Sequence, residues 1–149
     1  MMAKSRLKRR GLSDAEYLEH LTRKLFVSGF SWAAVDKKWP RFREVFYGFD
    51  PETVAEMPGE LIEHVLQDPG IVRNGVKVRA TVKNAQELLR IAEEHGSFRA
   101  YLRSLDSLTY AERSKRIAKR FASVGPNTVY YFLHDCGEPV PREKPEGVG

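Results

Sequence analysis

Apolar side chains recur at intervals of three and four residues through most of the chain, which is the spacing of a buried helix face. Leu18, Leu21 and Leu25 follow Ser13 and Glu16, a serine and a glutamate spaced as a capping box at a helix start. A longer series on one helix face consists of Val78, Val82, Ala85, Leu89 and Ala92. Because few long β-branched runs remain, the pattern predicts an all-α fold, a compact helical domain.

Prolines and glycines indicate further helix ends. Asp50 followed by Pro51 places a capping side chain and a proline in the order that begins a helix. We expect Pro40 to open another helix, which carries Phe42, because proline is favoured in the first helical turn. Gly96 is expected to end the long helix of the valine and leucine series.

A short turn separates a basic helical pattern, residues 109–121, from an apolar one, residues 128–136. Its Gly125 and Pro126 allow a tight turn and a helix start, so free backbone amides would point outward at a helix N-terminus, where phosphate binds. Such a turn is typical of a helix-hairpin-helix DNA-binding element, or of an ordinary connection between two helices. The basic residues before it favour nucleic acid. The turn comprises Ser123, Val124, Gly125, Pro126, Asn127 and Thr128.

Composition narrows the class of protein. The 149 residues are 42% hydrophobic and 30% charged, which indicates one globular domain rather than a disordered chain. The net charge of +5 favours a polyanionic partner. No apolar run is long enough to span a membrane and no secretory signal is evident. Because Cys136 is the single cysteine, a disulfide framework is excluded, and we expect an intracellular, cytoplasmic monomer.

Both ends of the chain differ in composition from residues 13–137. Residues 1–12 contain five lysines and arginines and no acid, so we expect a flexible basic arm, either solvated or in contact with phosphate. Residues 138–149 are rich in proline and glycine, which predicts a disordered tail.

Four blocks of sequence together resemble the 3-methyladenine DNA glycosylase I family of the helix-hairpin-helix glycosylase superfamily. They are GFSW at 29–32, KKWPRF at 37–42, DPGIVRN at 68–74 and VGPNT at 124–128. The resemblance implies a shortened, divergent member with an all-helical fold. It also implies a monofunctional enzyme of DNA repair that flips alkylated purines, such as 3-methyladenine, out of double-stranded DNA and excises them.

The resemblance also implies roles for individual residues. Trp32 matches the tryptophan that stacks on the extruded base, and Phe30 matches an apolar wedge that fills the gap left in the duplex. Core packing is the alternative role of both. The residues expected against DNA are Arg73, Asn74, Lys77, Arg116 and Arg120, together with the turn residues Ser123, Val124, Gly125, Pro126, Asn127 and Thr128.

Several positions depart from the family pattern. Lys24 stands where the family has a glutamate that hydrogen-bonds the base. No aspartate follows the hairpin in residues 137–143, so the catalytic group is unknown, with Asp36 and Asp135 as candidates and surface acids as their alternative role. Neither Asn127 nor Thr128 is the lysine of bifunctional relatives, so no lyase activity is expected. With one cysteine, we expect no zinc and no other cofactor.

Two other functions stay open at this point. A relative could keep the DNA-binding hairpin and lack catalysis, as Lys24 and the short C-terminal part suggest. A helical protein-interaction domain is the third reading of the same pattern. Steep salt dependence of DNA binding would separate the first two from the third, and release of free base would separate the enzyme from the binding protein.

Overall fold

The computed structural model describes residues 11–28 and 31–145, and within them it contains helices and no strand. A 3₁₀ turn at Tyr47–Phe49 lies between the second and third helices. In chain order the helices are α1 Asp14–Val27, α2 Trp32–Val45, α3 Pro51–Ala55, α4 Gly59–Val65, α5 Gly75–His95, α6 Phe98–Ser104, α7 Tyr110–Arg120 and α8 Pro126–Asp135. The all-α prediction is confirmed.

Side-chain caps fix where several helices begin. Ser13 and Thr109 each accept a hydrogen bond from the backbone amide of a glutamate three residues on, and each glutamate carboxylate accepts one from the amide of the cap residue. The predicted capping box at Ser13 is therefore present, and Thr109 forms a second one. Asp50 caps α3 ahead of Pro51, also as predicted. These caps accept hydrogen bonds from backbone amides that have no partner within the helix. The starts of α1, α3 and α7 can therefore be predicted from the sequence.

The core lies around α1, which packs against α2, α5, α6 and α8. Aromatic rings dominate it: Phe26, Phe42, Phe46, Phe49, Phe98 and Phe132 are fully buried. The helix α5 packs against α3 and α6, and α7 packs against α8. The end of α1 thereby lies close to the start of α2 and the end of α8, which is where the functional side chains meet.

The prediction that Pro40 opens a helix is wrong. Pro40 lies inside α2, which begins eight residues earlier at Trp32 behind the cap residue Ser31. Proline removes one helical hydrogen bond, but Trp39 and Phe42, on either side of it, are buried in the core and hold both halves of the helix in place. Trp32 therefore begins the second helix rather than ending the first. The apolar helix after the hairpin likewise starts at Pro126, two residues before the predicted Thr128.

Residues 138–145, part of the predicted tail, contact the helical domain. The Glu138 carboxylate pairs with Arg103 of α6, and the Tyr130 hydroxyl donates a hydrogen bond of 2.9 Å to the Pro141 carbonyl oxygen. Val140 packs against the hydrophobic core. Proline prevents this segment from continuing α8, but its polar and apolar groups still find partners. The predicted basic arm, apart from residues 11 and 12, and residues 146–149 lie outside the described residues.

Candidate base pocket and DNA-binding face

Trp32 is an exposed aromatic side chain at the first position of α2. Its relative exposure is 49%, whereas the other tryptophan, Trp39, is 3% exposed. Trp39 stacks on Phe42 and Phe49 and donates a hydrogen bond of 2.8 Å from Nε1 to Glu19. The core role considered for Trp32 therefore belongs to Trp39, and Trp32 presents its ring at the surface.

Lys24 lies next to the Trp32 ring. Its Nζ is 3.8 Å from the ring centroid, within the range of a cation–π contact. The Lys24 side chain is only 4% exposed, and its ammonium forms an ion pair with the carboxylate of Asp135 at the end of α8. Three elements thus meet at one point: the last turn of α1 supplies Lys24, the first turn of α2 supplies Trp32, and α8 supplies Asp135.

The two carboxylates named as catalytic candidates have different surroundings. Asp135 joins the Trp32 site through Lys24 and also lies 3.5 Å from Nδ1 of His134. Asp36 is half exposed and pairs with Arg23 on the neighbouring helix. The structure thus brings Asp135, and not Asp36, into the Lys24–Trp32 cluster. Phe30, the predicted wedge, lies outside the described residues.

A cleft of about 570 Å³ opens beside this cluster, between the start of α1, α6 and the end of α8. Asp135 is on its wall, whereas Trp32 is not. Burial lowers the pKa of His20, raises the pKa of Tyr17 to about 12, and raises the pKa of the Cys136 thiol well above its usual range. At neutral pH these three groups line the cleft as uncharged side chains.

The hairpin turn between α7 and α8 is held from inside by Asn84 of α5. The buried Asn84 side chain accepts a hydrogen bond of 2.7 Å from the Ala122 amide and donates one of 3.3 Å to the Ala122 carbonyl. Val124 and Thr128 are also buried, so they support the turn from within. Sequence reasoning missed the role of Asn84; its signal was a polar amide on an otherwise apolar helix face.

On its outer side, the turn leaves backbone amides without a side-chain cap. Gly125 precedes α8, and no side chain caps the amides of the first turn of that helix. A Cβ placed on Gly125 would meet no protein atom within 4 Å, and its φ of −106° suits any residue. The left-handed residue is instead the exposed Ser123, with φ of 59°. Packing within the protein therefore does not explain the glycine at 125.

The basic residues near the hairpin divide into free and paired cations. Among the described residues, none forms an ion pair with Arg116, which is exposed on α7. Arg120 pairs with Glu87 and Glu94 of α5 and is 26% exposed. Burial opposes ionisation of Glu87, yet hydrogen bonds from Arg90 and Arg120 hold its pKa below the usual value. The charge of Arg120 is thus largely matched by carboxylates.

The three residues at the start of α5 that were expected against DNA also differ in their surroundings. Asn74 caps α5 by accepting a hydrogen bond from the Lys77 amide. The Lys77 ammonium donates a hydrogen bond of 2.5 Å to the Ser28 carbonyl at the end of α1, and burial lowers its pKa. Arg73 is exposed. Asn74 therefore fixes the start of α5, Lys77 joins that start to the end of α1, and Arg73 is the exposed cation of the three.

Lys144 adds a cation that the sequence did not suggest. Its Nζ lies 2.5 Å from the Asn127 side-chain oxygen and 5.6 Å from the Tyr131 ring centroid, at the start of α8. It belongs to the segment predicted as a tail, and its position depends on that segment folding back over α8.

No helix within residues 11–28 and 31–145 is long and apolar enough to cross a membrane. In the same residues no three histidine, cysteine, aspartate or glutamate side chains gather as metal ligands.

Known proteins share both the sequence and the fold. The curated DNA-3-methyladenine glycosylase of Haemophilus influenzae is 31% identical over 129 residues, covering 74% of this chain and 70% of that protein. DNA-3-methyladenine glycosylase 1 of Escherichia coli is 32% identical, covering 74% and 69%. The structure of 3-methyladenine DNA glycosylase I from Staphylococcus aureus, solved to explain 3-methyladenine recognition, superposes with a TM-score of 0.75 at 28% identity, covering 90% and 84% of the two chains.

The family model described as methyladenine glycosylase matches residues 9–120, which include α1 to α7. That match spans well over half of the chain. Together with the two curated relatives and the shared fold, it shows that the chain belongs to the methyladenine glycosylase family.

Proposed function

We propose that this protein is a monofunctional DNA N-glycosylase of DNA repair that excises alkylated purines from duplex DNA. The observation that carries the proposal is Trp32, a half-exposed ring beside a buried ion pair, in a chain of the methyladenine glycosylase family. Its relatives are named as DNA-3-methyladenine glycosylases.

The exposed ring suits recognition of an extruded base. A base stacked inside the duplex cannot be reached, so the enzyme turns it out and reads it outside the helix. Trp32 offers a flat apolar face for stacking, and the half that is solvent-exposed in the free protein is the half a base would cover. Stacking on an aromatic side chain contributes about 1–3 kcal/mol per base, which offsets part of the cost of unstacking.

The reaction is hydrolysis at C1′ of the deoxyribose. The C1′–N bond breaks and the base leaves with the bonding electron pair. Water adds to C1′, and its proton passes to the leaving base or to solvent. Neither candidate carboxylate is free, because Asp135 pairs with Lys24 and Asp36 with Arg23. We therefore assign the chemical step to positioning and to the electrostatics of the pocket and DNA phosphates.

The hairpin supports a docking role. Uncapped amides at the start of α8 and the space around Gly125 suit a backbone phosphate, as in a helix-hairpin-helix element. Arg116 lies on α7, and Lys144 donates a hydrogen bond to Asn127 at the start of α8. Within residues 11–28 and 31–145, no carboxylate forms an ion pair with either cation. In this proposal Arg116 contacts DNA and Arg120 chiefly supports the hairpin from α5.

The test is release of free base from damaged duplex DNA. Duplexes carrying methylated purines and duplexes carrying cyclic etheno purines are incubated with the protein, with Trp32→Ala and with Tyr47→Ala, an aromatic of equal exposure at 48% on the α2–α3 turn. We expect release by the parent and by Tyr47→Ala, and its loss in Trp32→Ala. Salt-sensitive binding without release from any duplex would overturn the proposal in favour of a non-catalytic DNA-binding protein.

A further inference from the structure

The charged group next to the Trp32 ring is positive, whereas a negative charge there would stabilise a bound cationic base. Lys24 places an ammonium 3.8 Å from the Trp32 ring centroid, and the lysine is 4% exposed. Its counter-ion, Asp135, is 32% exposed and lies on the wall of the cleft, which Trp32 does not line. The positive member of the pair is the one in contact with the ring.

We propose that Lys24, held under Trp32 by Asp135, is a specificity-determining residue that makes this pocket favour uncharged alkylated purines over purines made cationic by alkylation. The proposal rests on the glycosylase function above and names the substrate class of that site. Cyclic etheno adducts of adenine are uncharged alkylated purines, whereas a 3-methyladenine residue in DNA carries a positive charge.

The charge of Lys24 affects how a base binds against Trp32. A cation is attracted to the negative face of an indole ring, and that attraction is one reason for stacking an alkylated base on tryptophan. In this protein the Lys24 ammonium already lies over the ring. A cationic base stacked on Trp32 would face a like charge across the ring in a partly desolvated site, where screening is weak. An uncharged base keeps the stacking and escapes the repulsion.

The charge of Lys24 also affects bond breaking. An uncharged purine leaves C1′ with the electron pair and gains negative charge, which a fixed cation across the Trp32 ring stabilises. A cationic purine becomes neutral as it leaves, so its positive charge moves to the sugar and gains nothing from Lys24. Binding and bond breaking therefore both favour the uncharged lesion, and both depend on the charge of Lys24 rather than on its packing.

The ion pair offers a test with two opposed variants. Lys24→Gln removes the cation, and Asp135→Asn removes its counter-ion and leaves the cation unmatched. The readout is the ratio of kcat/KM on a duplex with one 1,N6-ethenoadenine to that on a duplex with one 3-methyladenine. We expect the parent to favour ethenoadenine, Lys24→Gln to lower the ratio by about tenfold, and Asp135→Asn to raise it.

Both variants break the same ion pair, so a purely structural role would shift the ratio in the same direction in both. That result, or an unchanged ratio in both variants, would overturn the proposal. If Lys24→Gln does not fold, Lys24→Met keeps the length of the side chain and is measured instead. Absence of release from either duplex by the parent would instead count against the glycosylase function itself, so the two failures are distinguishable.

Discussion

Two tryptophans seven residues apart on α2 differ in almost every contact. Trp39 stacks on Phe42 and Phe49 and donates a hydrogen bond to Glu19. Trp32 is half exposed and its ring contacts the Lys24 ammonium. The contrast matters because Trp32 leaves half of its surface free to contact a ligand, whereas Trp39 is enclosed by core residues. At the scale of single residues, the surroundings of each tryptophan, and not its type, determine what it can do.

Trp39→Ala and Trp32→Ala should separate stability from function. We expect Trp39→Ala to lower the free energy of unfolding by about 3–5 kcal/mol, because it opens a cavity among packed rings. Trp32→Ala should lower it by about 1–2 kcal/mol, because half of the side chain is already exposed in the folded protein. Urea unfolding followed by circular dichroism gives both values; a larger loss for Trp32→Ala would show that this ring is part of the core.

His20 should make the fold less stable in mild acid. Burial lowers the pKa of His20 in the folded protein below its usual 6.5, although the charges of Asp135 and Glu19 work in the other direction. The unfolded chain then binds the proton more readily, so stability falls as the pH drops from about 6.5 through the lowered folded pKa.

We therefore expect His20→Gln to lose less unfolding free energy between pH 7 and pH 5 than the parent does. Denaturant titrations at the two pH values measure this difference. An equal loss in both proteins would mean that other groups, and not His20, set the acid dependence.

Sequence reasoning at this scale identified Trp32 and Lys24 but could not pair them with Asp135. Lys24 and Asp135 are separated by more than a hundred residues, and no periodicity within one helix indicates which two helix ends will meet. Their partnership follows from the packing of α1 against α8. A buried ion pair of this kind becomes visible only once tertiary structure is known.

At the scale of elements, the hairpin consists of α7, α8 and the turn between them, and α5 supports that turn. The α7–α8 turn is fixed by Asn84 from within and is open at Gly125 outside. Residues on the inner side of the turn stabilise it, and residues on the outer side are free to contact DNA. Substitutions on the inner side should therefore lower stability, and those on the outer side should weaken DNA binding.

Gly125→Ala tests the contact side. The position has an ordinary φ and open space, so the change should leave stability within about 1 kcal/mol of the parent. If a phosphate approaches the backbone there, the new methyl group should weaken DNA binding several-fold. Gly59→Ala, also in open space at the start of α4, is the matched control and should bind DNA normally. Equal DNA affinities for the two variants would show that the hairpin is not part of the DNA interface.

Arg116→Gln and Arg120→Gln should differ in the same way. We expect Arg116→Gln to weaken binding to all DNA sequences and to reduce the slope of log affinity against log salt by about one. Arg120→Gln should chiefly lower the melting temperature, because Glu94 loses its arginine and Glu87 keeps only Arg90. Fluorescence anisotropy across a salt series and thermal melts provide the two readouts; a larger salt effect at Arg120 would reverse the assignment.

Most helices could be predicted because their caps are local signals. The boxes at Ser13 and Thr109 and the cap at Asp50 depend only on residues three positions apart. Pro40 misled the prediction because proline is common at helix starts, while the burial of Trp39 and Phe42 that retains it within α2 is a tertiary effect. The folding of residues 138–145 onto the domain was missed for the same reason.

At the scale of the whole molecule, a net charge of +5 favours association with a polyanion, and the fold decides where. Carboxylates on α5 match Arg120, whereas Arg116, Arg73 and Lys144 remain near the hairpin and the start of α5. In the function proposed above, these cations and the hairpin amides position the DNA, and the Trp32–Lys24–Asp135 cluster selects the base. We expect substitutions to separate the two roles.

The most direct test of this account follows a single lesion in a single-turnover reaction. An end-labelled duplex with one ethenoadenine is incubated with excess protein, and alkali then cuts the strand wherever an abasic site has formed. The account predicts one cut, at the lesion in the damaged strand, with the parent and none with Trp32→Ala. An uncut strand with the parent, both here and on a matching duplex with 3-methyladenine, would contradict it, provided that the protein binds both duplexes.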